Sequence, residues 1–493
     1  MELTLQRERK TIFWIYGLSI FFVVLNMAFT AFEIYYFNLV PVFLLVILAA
    51  FLAMDKLLLV IVFLTPLSVP LKEFIPGLKM DLSLPTEPLL FGLLILFLLK
   101  IISERSFDKR VWKHPATIAI LLNLGWIFVT SLTSSLPVVS LKFFLARLWF
   151  VCGFYLLATQ VFRRAGNISN YLWAYIIPFA AIIVYAFIHH VHLGLLDQQA
   201  SHSAVRPFYN DHTAYGAILA FFYPVLFAFA LRHDKSIEFK TLIWILILVF
   251  STAIVFSYTR ATWISLAGAF LIFLIVRLRM RLSMIFLFAC LILFGVYSYR
   301  TEIVMMLEQN KQTSSGDFAE HVQSISNITS DASNLERINR WHAALRMFKE
   351  RPLVGWGPGT YQFQYAPYQY SWERTFISTN FGDRGNAHSE YIGPLAESGF
   401  PGTITILLIL ITSLTTGFKT YFRTEERWLK MITLAITLGL CTYFLHGFLN
   451  NFLETDKASA PFWGFIAVLV ALDLRSRKRK QDKLKSKKFN TND

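Results

Sequence analysis

Along most of this chain, apolar stretches of about 16 to 23 residues alternate with short charged connections. One polar block of about ninety residues, Tyr299 to Tyr391, interrupts the alternation. An apolar helix of about 20 residues crosses a bilayer core. Inside lipid only helices and closed barrels satisfy their own backbone. Barrel strands are shorter and alternate in polarity, which these stretches do not. The chain therefore reads as all-α, a polytopic helical membrane protein. The runs are 11–31, 37–54, 56–71, 87–103, 115–133, 142–162, 171–190, 213–231, 241–258, 261–276, 283–299, 392–414, 429–447 and 459–474. They amount to about fourteen transmembrane helices, with twelve the alternative count. The run 56–71 is short and ends at Pro66 and Pro70, and 241–258 is parted from 261–276 only by Thr259 and Arg260.

Charge orients the pattern. The net charge is +15, from 46 Lys and Arg against 31 Asp and Glu. With the N-terminus in the cytoplasm, the basic connections at Arg105–Lys113, Arg163–Arg164, Arg232–Lys240, Arg277–Arg281 and Lys419–Lys430 all fall inside, as positive-inside bias requires of short loops. The basic run from Arg475 to Lys488 reads as an anchor against anionic headgroups and not as a nucleic-acid tail. The first run follows Arg7, Arg9 and Lys10 without a small-residue cleavage site, as a retained helix does. Both termini are then cytoplasmic. Residues 1–299 form an N-terminal bundle of about eleven helices, 300–391 a large extracytoplasmic loop, 392–474 the last helices, and 475–493 the basic tail. Cys152, Cys290 and Cys441 all lie inside apolar runs, which indicates neither a disulfide framework nor a thiolate metal site.

Within the polar block, Leu335, Ile338, Trp341, Leu345 and Phe348 recur at three-and-four spacing, which predicts an amphipathic helix over 334–349. The segment from Arg351 to Gly359 ends it; its Gly355-Trp-Gly-Pro-Gly359 lacks the Gly-Lys-Ser/Thr ending of a phosphate loop and predicts a sharp turn.

Candidate chemistry gathers at the outer helix ends. Arg260 stands at the outer end of a helix, against the charge gradient, where it either snorkels to headgroups or binds an anionic substrate. Arg337 and Arg340, with Trp341 beside them, either face solvent or compensate the charge on a leaving diphosphate. His388, flanked by Asn386 and Glu390, can hydrogen-bond a hydroxyl or accept its proton where the loop re-enters the membrane. Glu397 lies inside an apolar run and so faces the bundle or the interface. A second cluster, His202, Arg206, Asn210, Asp211 and His212, reads as a headgroup-lining segment, with Arg206 and Asp211 as binding groups. Its two histidines are ten positions apart without the paired spacing of a zinc motif, so no metal is expected there.

Arg337-Ile-Asn-Arg-Trp341, Pro352 to Gly359, Asn386-Ala-His-Ser-Glu-Tyr391 and Glu397 to Gly402 together resemble the signature region of the O-antigen ligase/polymerase superfamily. Ser257-Tyr-Thr-Arg260 resembles the segment preceding it, with Thr259 and Ala261 where that family usually carries Ser and Gly. The resemblance spans roughly 250–402. It implies an inverting, metal- and cofactor-independent glycosyltransferase in the bacterial inner membrane. The donor would be a glycan on undecaprenyl pyrophosphate, and the acceptor lipid A-core or another saccharide. It assigns essential roles to Arg260, Arg337 and His388. The alternative within the family is a polymerase of lipid-linked repeat units. A membrane transporter is the alternative of another class; its usual marks, internal repeats and mid-membrane charges, are not prominent here.

Overall fold

The computed structural model describes residues 2–32, 53–75, 82–104, 107–280, 332–375 and 385–489, with a few isolated positions besides. It is a helical bundle. Among the described residues ten helices are long and apolar enough to cross a membrane: Ile12–Ala31, Pro115–Leu132, Pro137–Val161, Gly166–Leu193, His212–Ala230, Ile237–Phe256, Arg260–Arg277, Ile392–Arg423, Arg427–His446 and Asp456–Lys483. Thr86–Glu104 is a further helix of 19 residues. The expected run 56–71 is not a full span. Its helix, Met54–Leu64, has 11 residues and stops before Pro66, and Val69–Pro70 then pairs antiparallel with Ser83–Leu84. The run 37–54 lies almost wholly outside the described residues, and 283–299 and the loop segment 314–331 lie there too.

The expected spans follow helix-boundary chemistry. Pro115 and Pro137 each stand in the first turn of their helices, where a missing N–H removes nothing. Asp211 caps His212–Ala230 by accepting from Thr213 N. The last helix is the centre of the bundle: 89 % of its apolar window is buried, against 0 % for Ile12–Ala31. The core around it is aromatic, with Trp463, Phe465, Phe221 and Tyr443 all enclosed.

The two ends of the bundle differ. At one end Asp473, on the last helix, accepts from Arg423 at 2.5 Å, pairs with Arg477 at 2.6 Å and meets His114 at 3.4 Å. The other end carries the polar connections around 134–140, 194–212, 257–260, 351–391 and 447–455.

Candidate functional site

The polar end is assembled around the helix Ala332–Glu350. Its buried face is not the apolar stripe. Glu336, Asn339, Arg340, Ala343, Ala344 and Met347 are enclosed, whereas Leu345 is exposed and Leu335, Ile338 and Trp341 are only part-buried. The helix turns its polar and small residues inward because the surface it covers is itself polar.

Arg340 is the hub of that face. Its Nε donates to Glu336 Oε1 at 2.7 Å, its Nη1 donates to the Asn386 carbonyl at 3.2 Å, and Nη1 meets His388 Nε2 at 3.3 Å. A guanidinium only donates, so Nε2 is the accepting nitrogen and the neutral ring carries its proton on Nδ1. Burial, then the charges of Arg340 and Arg337, push the His388 pKa down to about 3. The backbone at His388 is left-handed, φ 47°, with its N–H donating to Asn386 Oδ1. Burial alone would raise Glu336, but hydrogen bonds from Ser378 and Arg340 outweigh it and hold the carboxyl below its ordinary range. Arg337 reaches the 447–455 connection, donating from Nε to the Leu449 carbonyl at 3.3 Å.

The glycine-rich turn is a structural wedge. Gly355 and Gly399 both have positive φ, 66° and 67°, and a Cβ on either would meet backbone of the other segment at 2.2–2.3 Å. Trp356 N donates to the Ala396 carbonyl at 3.0 Å and Gly357 N to the Glu397 carbonyl at 2.8 Å. From the other side Ser135 N and Ser140 Oγ donate to the carbonyls of Trp356 and Pro358 at 2.9 and 2.8 Å. The turn thereby interrupts Ile392–Arg423 at Gly399 and aims the Glu397 carboxylate at the Tyr361 amide, 3.0 Å away. Tyr361, just after the turn, is enclosed and stacked on Tyr365, the ring centroids 5.1 Å apart.

These elements wall a cavity of about 500 Å³. Of the sequence candidates, Arg340, Asn386, His388, Glu390 and Glu397 line it. Glu390 is tied down: Oε1 accepts from Tyr443 Oη at 2.6 Å, Phe452 N at 2.8 Å and Leu453 N at 3.0 Å. Arg337 borders this group. Arg260, Arg206, Asp211 and Trp341 do not line the cavity. Arg260 opens the helix Arg260–Arg277, Arg206 is exposed, and Asp211 is near enough for its charge to act on His388.

Three charged lining residues were not among the sequence candidates. Arg147 is buried between the rings of Phe143 and Trp463, 5.4 and 5.8 Å from their centroids. An arginine inside the apolar run 142–162 was itself the signal. Glu454 opens onto the cavity, and the surrounding protein together with the Glu390 charge pushes its carboxyl upward. Lys72 enters from the connection after the short helix Met54–Leu64. These positions lacked a local motif, because each enters from a different helix end.

No curated protein matches this chain. Residues 244–407 match the family model described as O-antigen ligase, and over this segment, which contains Arg260, Arg337, Arg340, His388 and Glu397, the chain is similar to that family.

Proposed function

We propose that the chain transfers a glycan from undecaprenyl pyrophosphate to a saccharide hydroxyl, such as one on lipid A-core, at the extracytoplasmic face of the bacterial inner membrane. One observation carries this reading: Arg340 and His388 meet at 3.3 Å on the wall of a cavity with several charged side chains, close enough to Arg337 for its charge to act on His388. In the transfer, the acceptor oxygen attacks the anomeric carbon as the bond to pyrophosphate breaks. Negative charge grows on the departing diphosphate, where the forked guanidinium of Arg337, assisted by Arg260, would stabilise it. Arg340 is a positioning residue, because Glu336 and Asn386 already engage it. His388 resists protonation near neutral pH and holds its acceptor nitrogen against Arg340, so its role is to align a substrate oxygen through Nδ1–H. The proton of the attacking hydroxyl then passes to a carboxylate of the cavity. Glu454 suits that step by position, since it lines the cavity and is exposed to it.

Transfer assayed in membranes tests these roles at equal protein levels. Arg337→Ala and Arg260→Ala should abolish product, and Lys at either position should restore little, because an ammonium lacks the bidentate fork. Glu454→Gln should lower the rate about 10²–10⁴-fold. Full activity in Arg337→Ala would remove charge compensation from the mechanism; full activity in Glu454→Gln would return the base role to another group. A deletion strain separates ligation from polymerisation. Polymerised lipid-linked chains accumulating without transfer support ligation, whereas single repeat units left on the carrier identify a polymerase.

A further inference from the structure

We propose that His202, Asp211 and His212 bind one divalent transition-metal ion, zinc by preference, at the polar end of the bundle beside the turn that carries Arg260. His202 comes from the short helix Gln198–Ala204, and Asp211 and His212 from the start of the helix His212–Ala230. The chain folds back between them, so that one ligand atom from each lies within 4.8 Å of the others. The separation of ten positions that argued against a zinc motif is closed by the tertiary fold.

Three features point to a ligand. The imidazoles of His202 and His212 are crowded, their centroids 3.9 Å apart at 47°, although two rings have no strong mutual attraction that would hold them so. His212 is buried and its Nδ1 lies 2.8 Å from Asp211 Oδ1, yet that nitrogen makes no aligned hydrogen bond. An ion drawn to this pair would give both atoms a common partner. The carboxylate is also braced from behind: Thr213 N donates to Oδ1 at 3.0 Å and Thr213 Oγ1 donates to Oδ2, as outer partners do for metal-bound carboxylates.

The donor set selects the metal. Two imidazoles and one carboxylate suit zinc, whereas calcium and magnesium prefer oxygen ligands throughout. Bonds of about 2.0–2.1 Å in a tetrahedron set ligand atoms about 3.3 Å apart. The ligand atoms already lie within 4.8 Å of one another, with His212 Nδ1 and Asp211 Oδ1 at 2.8 Å, so side-chain adjustment and not backbone movement separates the trio from that spacing, and exposed His202 leaves the fourth position to water. The ion would fasten the 194–211 connection to the helix end. Through Thr259 Oγ1, which donates to the His212 carbonyl at 3.3 Å, it would also stiffen the turn before Arg260.

The test uses the full chain, purified without a histidine tag, stripped with chelator and titrated with zinc chloride against a chromogenic chelator. The expected result is one tight equivalent per chain. His202→Ala, which alters an exposed position, should weaken that equivalent by at least about tenfold. Cobalt chloride should give the intense visible bands of a tetrahedral nitrogen–oxygen site in the wild type and lose them in His202→Ala. Zinc should raise the melting temperature of the wild type more than that of the variant. Absence of a tight equivalent in the wild type overturns the proposal, as does unchanged affinity in both His202→Ala and His212→Gln.

Discussion

At His388 the ring rests against Arg340 with Arg337 nearby, and burial followed by those two charges takes its pKa from 6.5 to about 3. The folded value lies below the unfolded one, so between those two pH values the unfolded chain holds a proton that the folded site refuses. Stability should therefore rise with pH through that window, be lost on acidification, and be indifferent to this group above pH about 6.5. Thermal melts at pH 7 and pH 5 should show a smaller acid loss for His388→Gln than for the wild type; equal losses would mean that this ring is not held neutral. Glu336 supports the same arrangement. It is 3 % exposed and pairs with Arg340, which is 6 % exposed, so Glu336→Gln leaves a buried guanidinium without its counter-charge. Breaking such a pair costs about 3–5 kcal/mol. The expected outcome is a lowered melting temperature and lost transfer, while Glu336→Asp retains part of both. The residue types at 337, 340 and 388 were legible because they stand in a short motif. That Arg340 is held by Asn386 and His388 was not, because these partners are nearly fifty positions away and only the fold brings them together.

The glycine turn and the interrupted helix form one device at the level of elements. Gly355-Trp-Gly-Pro-Gly359 was readable as a turn from composition alone. Its purpose was not, because the partner that demands those glycines is the backbone at Glu397–Gly399, which sequence does not place beside it. Gly399→Ala puts a Cβ 2.2 Å from the Leu353 carbonyl oxygen at φ 67°. The backbone conformation alone costs roughly 1–2 kcal/mol, and the clash must push the turn off the helix and move Glu397. Gly92→Ala is the control, since its Cβ meets nothing within 4 Å. Gly399→Ala should lose thermal stability and transfer together while Gly92→Ala loses neither, measured by melting curves and membrane assays. The helix Ala332–Glu350 makes the converse point. Periodicity found the helix but not its inner face, because a hydrophobic stripe identifies the core side only where the covered surface is apolar. Here that surface is Gln369, Ser378, Asn386 and His388, so the polar face turns in.

Over the whole molecule, hydropathy located nearly every described spanning helix, because bilayer thickness imposes a length that survives any tertiary arrangement. It could not show that the last helix, and not the first, is the bundle centre; that order follows from packing among Trp463, Phe465 and Phe221. It also overextended 56–71, where a short helix ends at Thr65 and the chain turns into the polar end. The cavity and the Asp473 network lie toward opposite ends of the 32-residue helix Ile392–Arg423, which carries Glu397 near its start and Arg423 at its finish. Its continuous part after the break at Gly399, about 24 residues to Arg423, is about 36 Å long at about 1.5 Å per residue, more than a bilayer core of about 30 Å. The two groups must therefore face opposite aqueous sides once the helix crosses. The orientation proposed here follows positive-inside bias, with Arg423, Arg477 and the basic tail in the cytoplasm and the cavity outside. Single cysteines introduced after Cys152, Cys290 and Cys441 are replaced by serine test this directly. Trp372, 76 % exposed in the connection 351–391 at the polar end, should as cysteine react with an impermeant maleimide in intact cells. Glu425, whose side chain is 77 % exposed at the other end, should as cysteine react only after permeabilisation. The reverse pattern would place the cavity in the cytoplasm, away from any donor displayed on the outer leaflet, and the proposed transfer would fall with it.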